Sequence, residues 1–229
     1  MPVKTALPFL FLSFSLLGQV QPMRQLPFIR ATGQGSVSIA PDTAIIDLGV
    51  ITQAATAQDA TAQNATQASA VIAALQQLLG ANSSVKTISY SVNPNYNYPP
   101  NGPQTLLGYT VTNVVEVTVS DLTSVGKVVD TAVQAGANNV QRLQFTLKDD
   151  TSARQQALRL ASMQAQANAG VIANGLGVHT GAVLAAIEGA AYTPMPVVGV
   201  LASGATATPV QPGNLTIQAT VTLDLQVTQ

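Results

Sequence analysis

Few residues of the 229-residue chain carry side chains suited to acid–base, nucleophilic or metal chemistry. There is one histidine, His179, and there is no cysteine. A zinc site or a Ser-His-Asp relay would therefore depend on His179 alone for its imidazole. The missing cysteines exclude disulfides, thiolate metal ligands and a cysteine nucleophile. Because His179 follows a glycine-rich helix end, we expect it to be a surface turn residue.

Acidic residues offer no better catalytic arrangement. Glu116 and Glu188 would form a glycosidase-type pair only if the fold brought them together, and nothing in their spacing does so. Asp149 and Asp150 are adjacent, but they precede a helical stretch, where negative charge stabilises the helix amino end. The Gly33-Gln34-Gly35 sequence leads into a strand rather than a helix, unlike a nucleotide-binding loop. The sequence predicts no enzyme and no catalytic, cofactor-binding or metal-binding residues.

The low charge restricts the partners. Charged residues make up 8% of the chain, against about 25% in a typical soluble protein. The nine basic and ten acidic residues are scattered without runs, so no basic patch is available to neutralise a series of phosphates. Nucleic acid is excluded as a partner, and the surface is expected to be polar but nearly neutral.

The amino terminus has the pattern of a secretory signal peptide over residues 1–20. Lys4 precedes an apolar run of 12 residues, 6–17, and a polar stretch follows. Such a run is too short to cross a bilayer of about 30 Å as a helix, so a permanent anchor is the weaker alternative. Gly18 and Val20 are both candidate cleavage positions. We expect export to the periplasm or the medium, with no transmembrane anchor after signal removal.

Hydrophobic periodicity beyond residue 30 predicts strands and helices in a mixed order. Strands are predicted at 31–40, 44–52, 85–92, 109–120, 143–147, 183–187 and 215–227, and helices at 54–79, 122–135 and 152–174. This order predicts an α+β fold in which about three helices pack on a largely antiparallel sheet. Residues 31–229 would form one domain or two lobes that share a core.

Two segments rich in proline, 93–108 and 192–213, are predicted to be irregular. Tyr96 and Tyr98 lie in the first, and Tyr192, Val197 and Val198 lie in the second. Aromatic rings and prolines in a loop favour an amphipathic contact surface, although they would equally serve to cover one end of the sheet. These five residues form the predicted interaction surface. An unpaired edge on the last strand would be a third contact.

Seven short motifs in this order resemble the SIMPL family, a domain of unknown function catalogued under the number 541. They are Gly33-Gln34-Gly35-Ser36-Val37 with Pro41-Asp42, Gly108-Tyr109, Asp121-Leu122, Ala135-Gly136-Ala137-Asn138-Asn139, Gly175-Leu176-Gly177-Val178, Ile187-Glu188-Gly189 and Pro209-Val210-Gln211-Pro212-Gly213. The resemblance implies a SIMPL-type fold in an exported protein related to periplasmic immunogenic and oxidative-stress defence proteins. It also implies a homo-oligomer, without an established reaction.

Together these observations predict an exported, non-enzymatic envelope protein that self-assembles as a scaffold or binding protein. A link to envelope or oxidative stress follows from the resemblance alone. The alternative is a monomeric periplasmic protein that binds a small or peptide ligand.

Overall fold

The computed structural model describes residues 26–80, 84–100, 102–189, 195–196 and 212–229. Its elements, in chain order, are β1 (Phe28–Ile39), β2 (Thr43–Ala54), α1 (Ala57–Leu79), β3 (Ser84–Asn97), β4 (Thr105–Val119), α2 (Val125–Ala135), β5 (Asn139–Thr146), α3 (Thr151–Gly175), β6 (His179–Glu188), β7 (Met195–Pro196) and β8 (Leu215–Thr228). The α+β class and the antiparallel pairing are confirmed. The strands are divided between two sheets where the sequence predicted one.

Sheet A has the order β1–β8–β6, and the short β7 pairs with the start of β8. The strict alternation of β8 places Val221, Leu223 and Leu225 on the buried face, where they meet Ile29 and Ala31 of β1. This confirms the predicted final strand. However, β8 is the central strand of the sheet and pairs on both sides, so the expected open edge on this strand is wrong.

Helix α3 covers sheet A through a line of small side chains. Six buried alanines recur at every fourth residue, namely Ala153, Ala157, Ala161, Ala165, Ala169 and Ala173. They face Gly33 and Gly35 of β1, where an added Cβ would collide with backbone atoms of the helix. The helix and the strand therefore approach backbone to backbone, and the glycines of the Gly33-Gln34-Gly35 motif serve packing.

Sheet B has the order β3–β4–β2–β5 and carries α1 and α2 on one face. Its core contains the alternating residues Ile46 and Leu48 of β2, which pack with Val117 of β4 and Leu75 of α1. The buried apolar residues of sheet B form one cluster, and those of sheet A form two further clusters with α3. Each sheet thus buries its own helix-facing side.

Local signals set the helix ends. The Thr56 hydroxyl accepts a hydrogen bond from the Asp59 amide and begins α1, and Gly80 follows its last residue. Asp121 accepts from the Thr123 amide and starts a short 3-10 turn, Leu122–Ser124, ahead of α2. The helix predicted over 122–135 is therefore split, but it ends as predicted at the left-handed Gly136.

The prediction of an irregular loop over 93–108 is wrong for residues 93–97 and 105–108. β3 continues to Asn97 and β4 begins at Thr105, so the two strands pair as a long hairpin. Pro94 pairs opposite Tyr109 within this ladder. Proline is tolerated there because β3 is an edge strand, where a backbone N–H is not needed for a second neighbour.

Two predicted segments lie mainly outside the described residues. The predicted signal peptide, 1–20, is one, and most of 192–213 is the other. Within the described ranges, no helix combines the length and apolar character needed to cross a membrane.

Candidate interaction surface

The hairpin of β3 and β4 exposes several large apolar side chains. On β3, Ile88, Tyr90 and Val92 are 45%, 51% and 39% exposed, and on β4, Leu106 and Leu107 are 48% and 67% exposed. Among the described residues β3 pairs with β4 alone, so its outer edge has no neighbouring strand. An exposed apolar edge strand is a typical site for pairing with another chain.

Two predicted contact residues lie at the far end of this hairpin. Tyr96 and Tyr98 are 41% and 71% exposed, and their ring centroids are 6.3 Å apart at an interplanar angle of 59°. Gln104 donates to the Tyr98 hydroxyl at 3.3 Å across the turn. The tilted pair presents an aromatic surface with hydroxyl groups at its rim. The other predicted contact residues, Tyr192, Val197 and Val198, lie outside the described residues.

The edge of sheet A at β1 differs from the β3 edge of sheet B in how its backbone is covered. On β1, the Gln34 amide donates to Gln164 Oε1 at 2.6 Å, and Asn168 Nδ2 donates to the Thr32 carbonyl at 2.8 Å. Gln164 and Asn168 are four residues apart on α3, so they lie on the same side of the helix. Their amides occupy backbone groups that an added strand would need, and β1 is thereby protected.

A row of four charged residues crosses the open face of sheet B. Lys86, Glu116, Asp47 and Arg142 lie in register on β3, β4, β2 and β5. Lys86 Nζ is 2.9 Å from Glu116 Oε1, Arg142 Nε is 2.8 Å from Asp47 Oδ2, and Arg142 Nη2 is 3.1 Å from Glu116 Oε2. The two positive and two negative charges of the row balance, and the ion pairs link all four strands of sheet B. Sequence analysis missed it because the pairing depends on register between distant segments.

Sheet A carries an ion pair of its own on its open face. Arg30 donates from Nε and Nη2 to the two carboxylate oxygens of Asp224, both at 2.7 Å, and its guanidinium carbon lies 5.5 Å from the Phe28 ring centroid. The hydrogen bonds from Arg30, aided by its positive charge, lower the pKa of Asp224 against the opposing effect of burial. This geometry fixes the register of β1 against β8.

The residues considered for chemistry do not converge. Glu116 lies in sheet B, whereas Glu188 lies at the end of β6 and pairs with Arg154 at 2.6 Å. Asp149 Oδ1 accepts from the Thr151 amide at the start of α3, as expected of a residue at a helix amino end. His179 begins β6 and is exposed, rather than lying in a turn as predicted. In the part of the chain that the structure describes, no group of three or more His, Asp or Glu residues is placed to hold a metal ion.

One cavity lies at the end of sheet B beside α2. It has a volume of about 470 Å³, within the range of small-ligand sites. Its polar lining includes Thr118, Ser120, Asp121, Ser124 and Lys148, and Leu79 contributes apolar surface. The cavity therefore offers hydroxyl groups together with one positive and one negative side chain.

The fold and this surface define an α+β protein of two antiparallel sheets with an exposed hairpin edge. The chain belongs to the SIMPL family, described as a protein of unknown function (DUF541), whose family model matches residues 29–225. This confirms the resemblance identified from the seven motifs.

Two relatives illustrate the family. The chain is similar to the 26 kDa periplasmic immunogenic protein of Brucella melitensis, with 29% identity over 180 residues, covering 77% of this chain and 70% of that protein. It is also similar to the uncharacterized protein YggE of Escherichia coli strain K12, with 26% identity over 213 residues, covering 93% of this chain and 85% of that protein.

Proposed function

We propose that this protein is exported to the bacterial cell envelope and acts without catalysis, by assembling with copies of itself as a scaffold or binding protein. The observation that carries the proposal is the uncovered apolar edge of β3, continued by Tyr96 and Tyr98 at the hairpin end. A surface of this kind in a weakly charged protein favours association over solvation.

The proposed location rests on two independent supports. The pattern of Lys4 followed by the apolar run at 6–17 is typical of a signal peptide. The Brucella relative is named a periplasmic protein. The further link to envelope or oxidative stress is proposed from the family resemblance.

Self-association is supported by charge as well as by exposed apolar area. The formal net charge is −1, so electrostatic repulsion between copies is small. The charged row on sheet B and the Arg30–Asp224 pair on sheet A are internally neutralised, which leaves little net field on either open face. Association through the hairpin is therefore weakly opposed.

Cell fractionation together with the intact mass of the exported protein tests location. We expect a mature amino terminus at residue 19 or later but before β1 begins at Phe28, in protein recovered from the periplasm or the medium. Retention of Met1 with recovery from the cytosol alone would overturn the export proposal. Light scattering of the mature protein tests assembly, and a monomer at micromolar concentration would overturn the self-assembly proposal.

The cavity beside α2 favours one alternative, a monomeric binder of a small ligand. Lys148 and Asp121 would suit the opposite charges of a small zwitterion, and the surrounding hydroxyl groups would hydrogen-bond its polar atoms. Calorimetric titration with free amino acids tests this alternative, with a Lys148→Ala variant as control. Saturable binding by a monomeric parent, lost in the variant, would favour the binder.

A further inference from the structure

The middle of β3 has a sequence that is nearly symmetric about Tyr90. The order Ile88-Ser89-Tyr90-Ser91-Val92 places a serine and then an aliphatic residue on each side of the ring. When such a strand pairs antiparallel with its own copy, the residue at the centre faces itself. Ser89 then faces Ser91 of the second copy.

Tyr90 and Val92 lie on one side of the hairpin. Tyr90 and Val92 pair with Asn113 and Val111 of β4, and Val111 belongs to the buried face under α1. Successive strand residues alternate between faces, so Ser89 and Ser91 point to the opposite side. Self-pairing about Tyr90 therefore places the two tyrosine rings against each other on one face and the serines on the other, a favourable set of cross-strand pairs.

Charge and chain irregularity limit how the two copies align. Lys86 is the one charged residue of β3, and it is already paired with Glu116. With the axis at Tyr90, Lys86 lies four residues from the centre, so the two lysines do not oppose each other. The register shift between Thr87 and Ser89 falls at Ile88, and Pro94 interrupts the other end, so regular pairing is confined to the few residues around Tyr90.

We infer that β3 pairs antiparallel with β3 of a second copy about a two-fold axis at Tyr90, joining two four-stranded sheets B into one eight-stranded sheet. The inference rests on the proposed self-assembly and specifies its contact. It commits to β3 because Ser89-Tyr90-Ser91 is symmetric about the ring and so suits pairing with its own copy. Gln164 and Asn168 occupy backbone groups on the β1 edge, and the apolar β6 edge is interrupted by register shifts on both sides of Val183. Closed two-fold pairing is the commonest symmetry of soluble oligomers.

Disulfide cross-linking tests the register without interference, because the chain has no native cysteine. Tyr90→Cys is expected to form a disulfide-linked dimer on mild oxidation of the mature protein, since the two copies of residue 90 face each other. Ser89→Cys and Ser91→Cys are expected to cross-link when mixed and much less when each is oxidised alone. Val171→Cys, at a 72% exposed position of α3, is the control and is expected to stay monomeric on a non-reducing gel.

A charge substitution gives a second readout. Tyr90→Lys is expected to dissociate the assembly in light scattering because it places like charges opposite each other, whereas Tyr90→Phe is expected to retain the parent mass. Far-ultraviolet circular dichroism checks that both variants fold. If Tyr90→Lys does not fold, the cross-linking result alone tests the strand pairing. A parent that assembles, with β3 cysteines no more reactive than Val171→Cys, would overturn the strand pairing and leave self-assembly intact. A monomeric parent would overturn both.

Discussion

Gly33 of β1 lies directly against the backbone of Ala161 in α3, and the Gly33 position has no room for a side chain. This contact sets the distance between the long helix and sheet A, because the buried side chains of α3 are all alanines. Gly33 is therefore required for packing and is not part of a nucleotide-binding loop.

Gly33→Ala is expected to destabilise the protein by about 1–3 kcal/mol, because the added methyl group forces the helix away from the sheet. Urea unfolding measures the change in the free energy of unfolding. Gly170→Ala is the matched control, since that glycine lies within α3 with nothing near its Cβ position. The control should be stabilised by roughly 0.5–1 kcal/mol. Equal effects of the two substitutions would contradict the proposed close packing.

The charged row of sheet B is expected to show unequal couplings. A double-mutant cycle between Arg142 and Asp47 should give a coupling energy of about 1 kcal/mol or more, because two hydrogen bonds from the guanidinium to the carboxylate fix the geometry of the pair. The cycle between Lys86 and Glu116 should give less than about 1 kcal/mol, since the lysine is exposed. Both coupling energies are measured by urea unfolding of the single and double variants. A larger coupling for Lys86 and Glu116 would contradict this assignment.

Asp224 is expected to make stability depend on pH in the acidic range. Its pKa in the folded protein is lowered by Arg30, below the unfolded value of about 3.9. The contribution is thus fully present above that unfolded value and is lost as pH falls through the lower folded pKa. The stability difference between the parent and Asp224→Asn should shrink as the pH is lowered below 4, as measured by urea unfolding. Arg30→Gln should remove most of this dependence, and a difference that does not vary with pH would rule out the linkage.

Replacement of His179 with alanine is expected to leave folding and assembly unchanged. The side chain is exposed at the start of β6, and the recorded hydrogen bond of this residue uses its backbone carbonyl. Thermal unfolding and light scattering check the result. Loss of a defined activity with folding intact would restore the enzyme hypothesis.

The sequence predicted the elements well where the signal is local. Alternation identified β8, the Asp121 and Gly136 signals bounded the region of α2, and the alanine-rich period marked α1 and α3. The sequence also contains a pattern that indicates how α3 packs on β1 and that was not used. Alanines occur at every fourth position of α3, and glycines occur at alternate positions of β1.

The sequence did not predict what depends on long-range pairing. The central place of β8 and the row from Lys86 to Arg142 arise from register between segments far apart in the chain. The hairpin was missed because proline and asparagine are loop residues by propensity, yet pairing with β4 outweighs that preference at an edge. Of the predicted contact residues, Tyr96 and Tyr98 are exposed at this hairpin, whereas Tyr90, which is also exposed, was not among them.

Light scattering of the mature protein and of a variant carrying Tyr96→Ser and Tyr98→Ser tests self-assembly through the hairpin most directly. We expect the parent to form a defined oligomer at micromolar concentration and the double variant to have a lower mass, because the serines remove the aromatic contact area. A second variant with Met163→Ser and Val171→Ser, which are exposed apolar positions of α3, should keep the parent mass. A monomeric parent would contradict the assembly, and a hairpin variant that keeps the parent mass would exclude Tyr96 and Tyr98 from its contact.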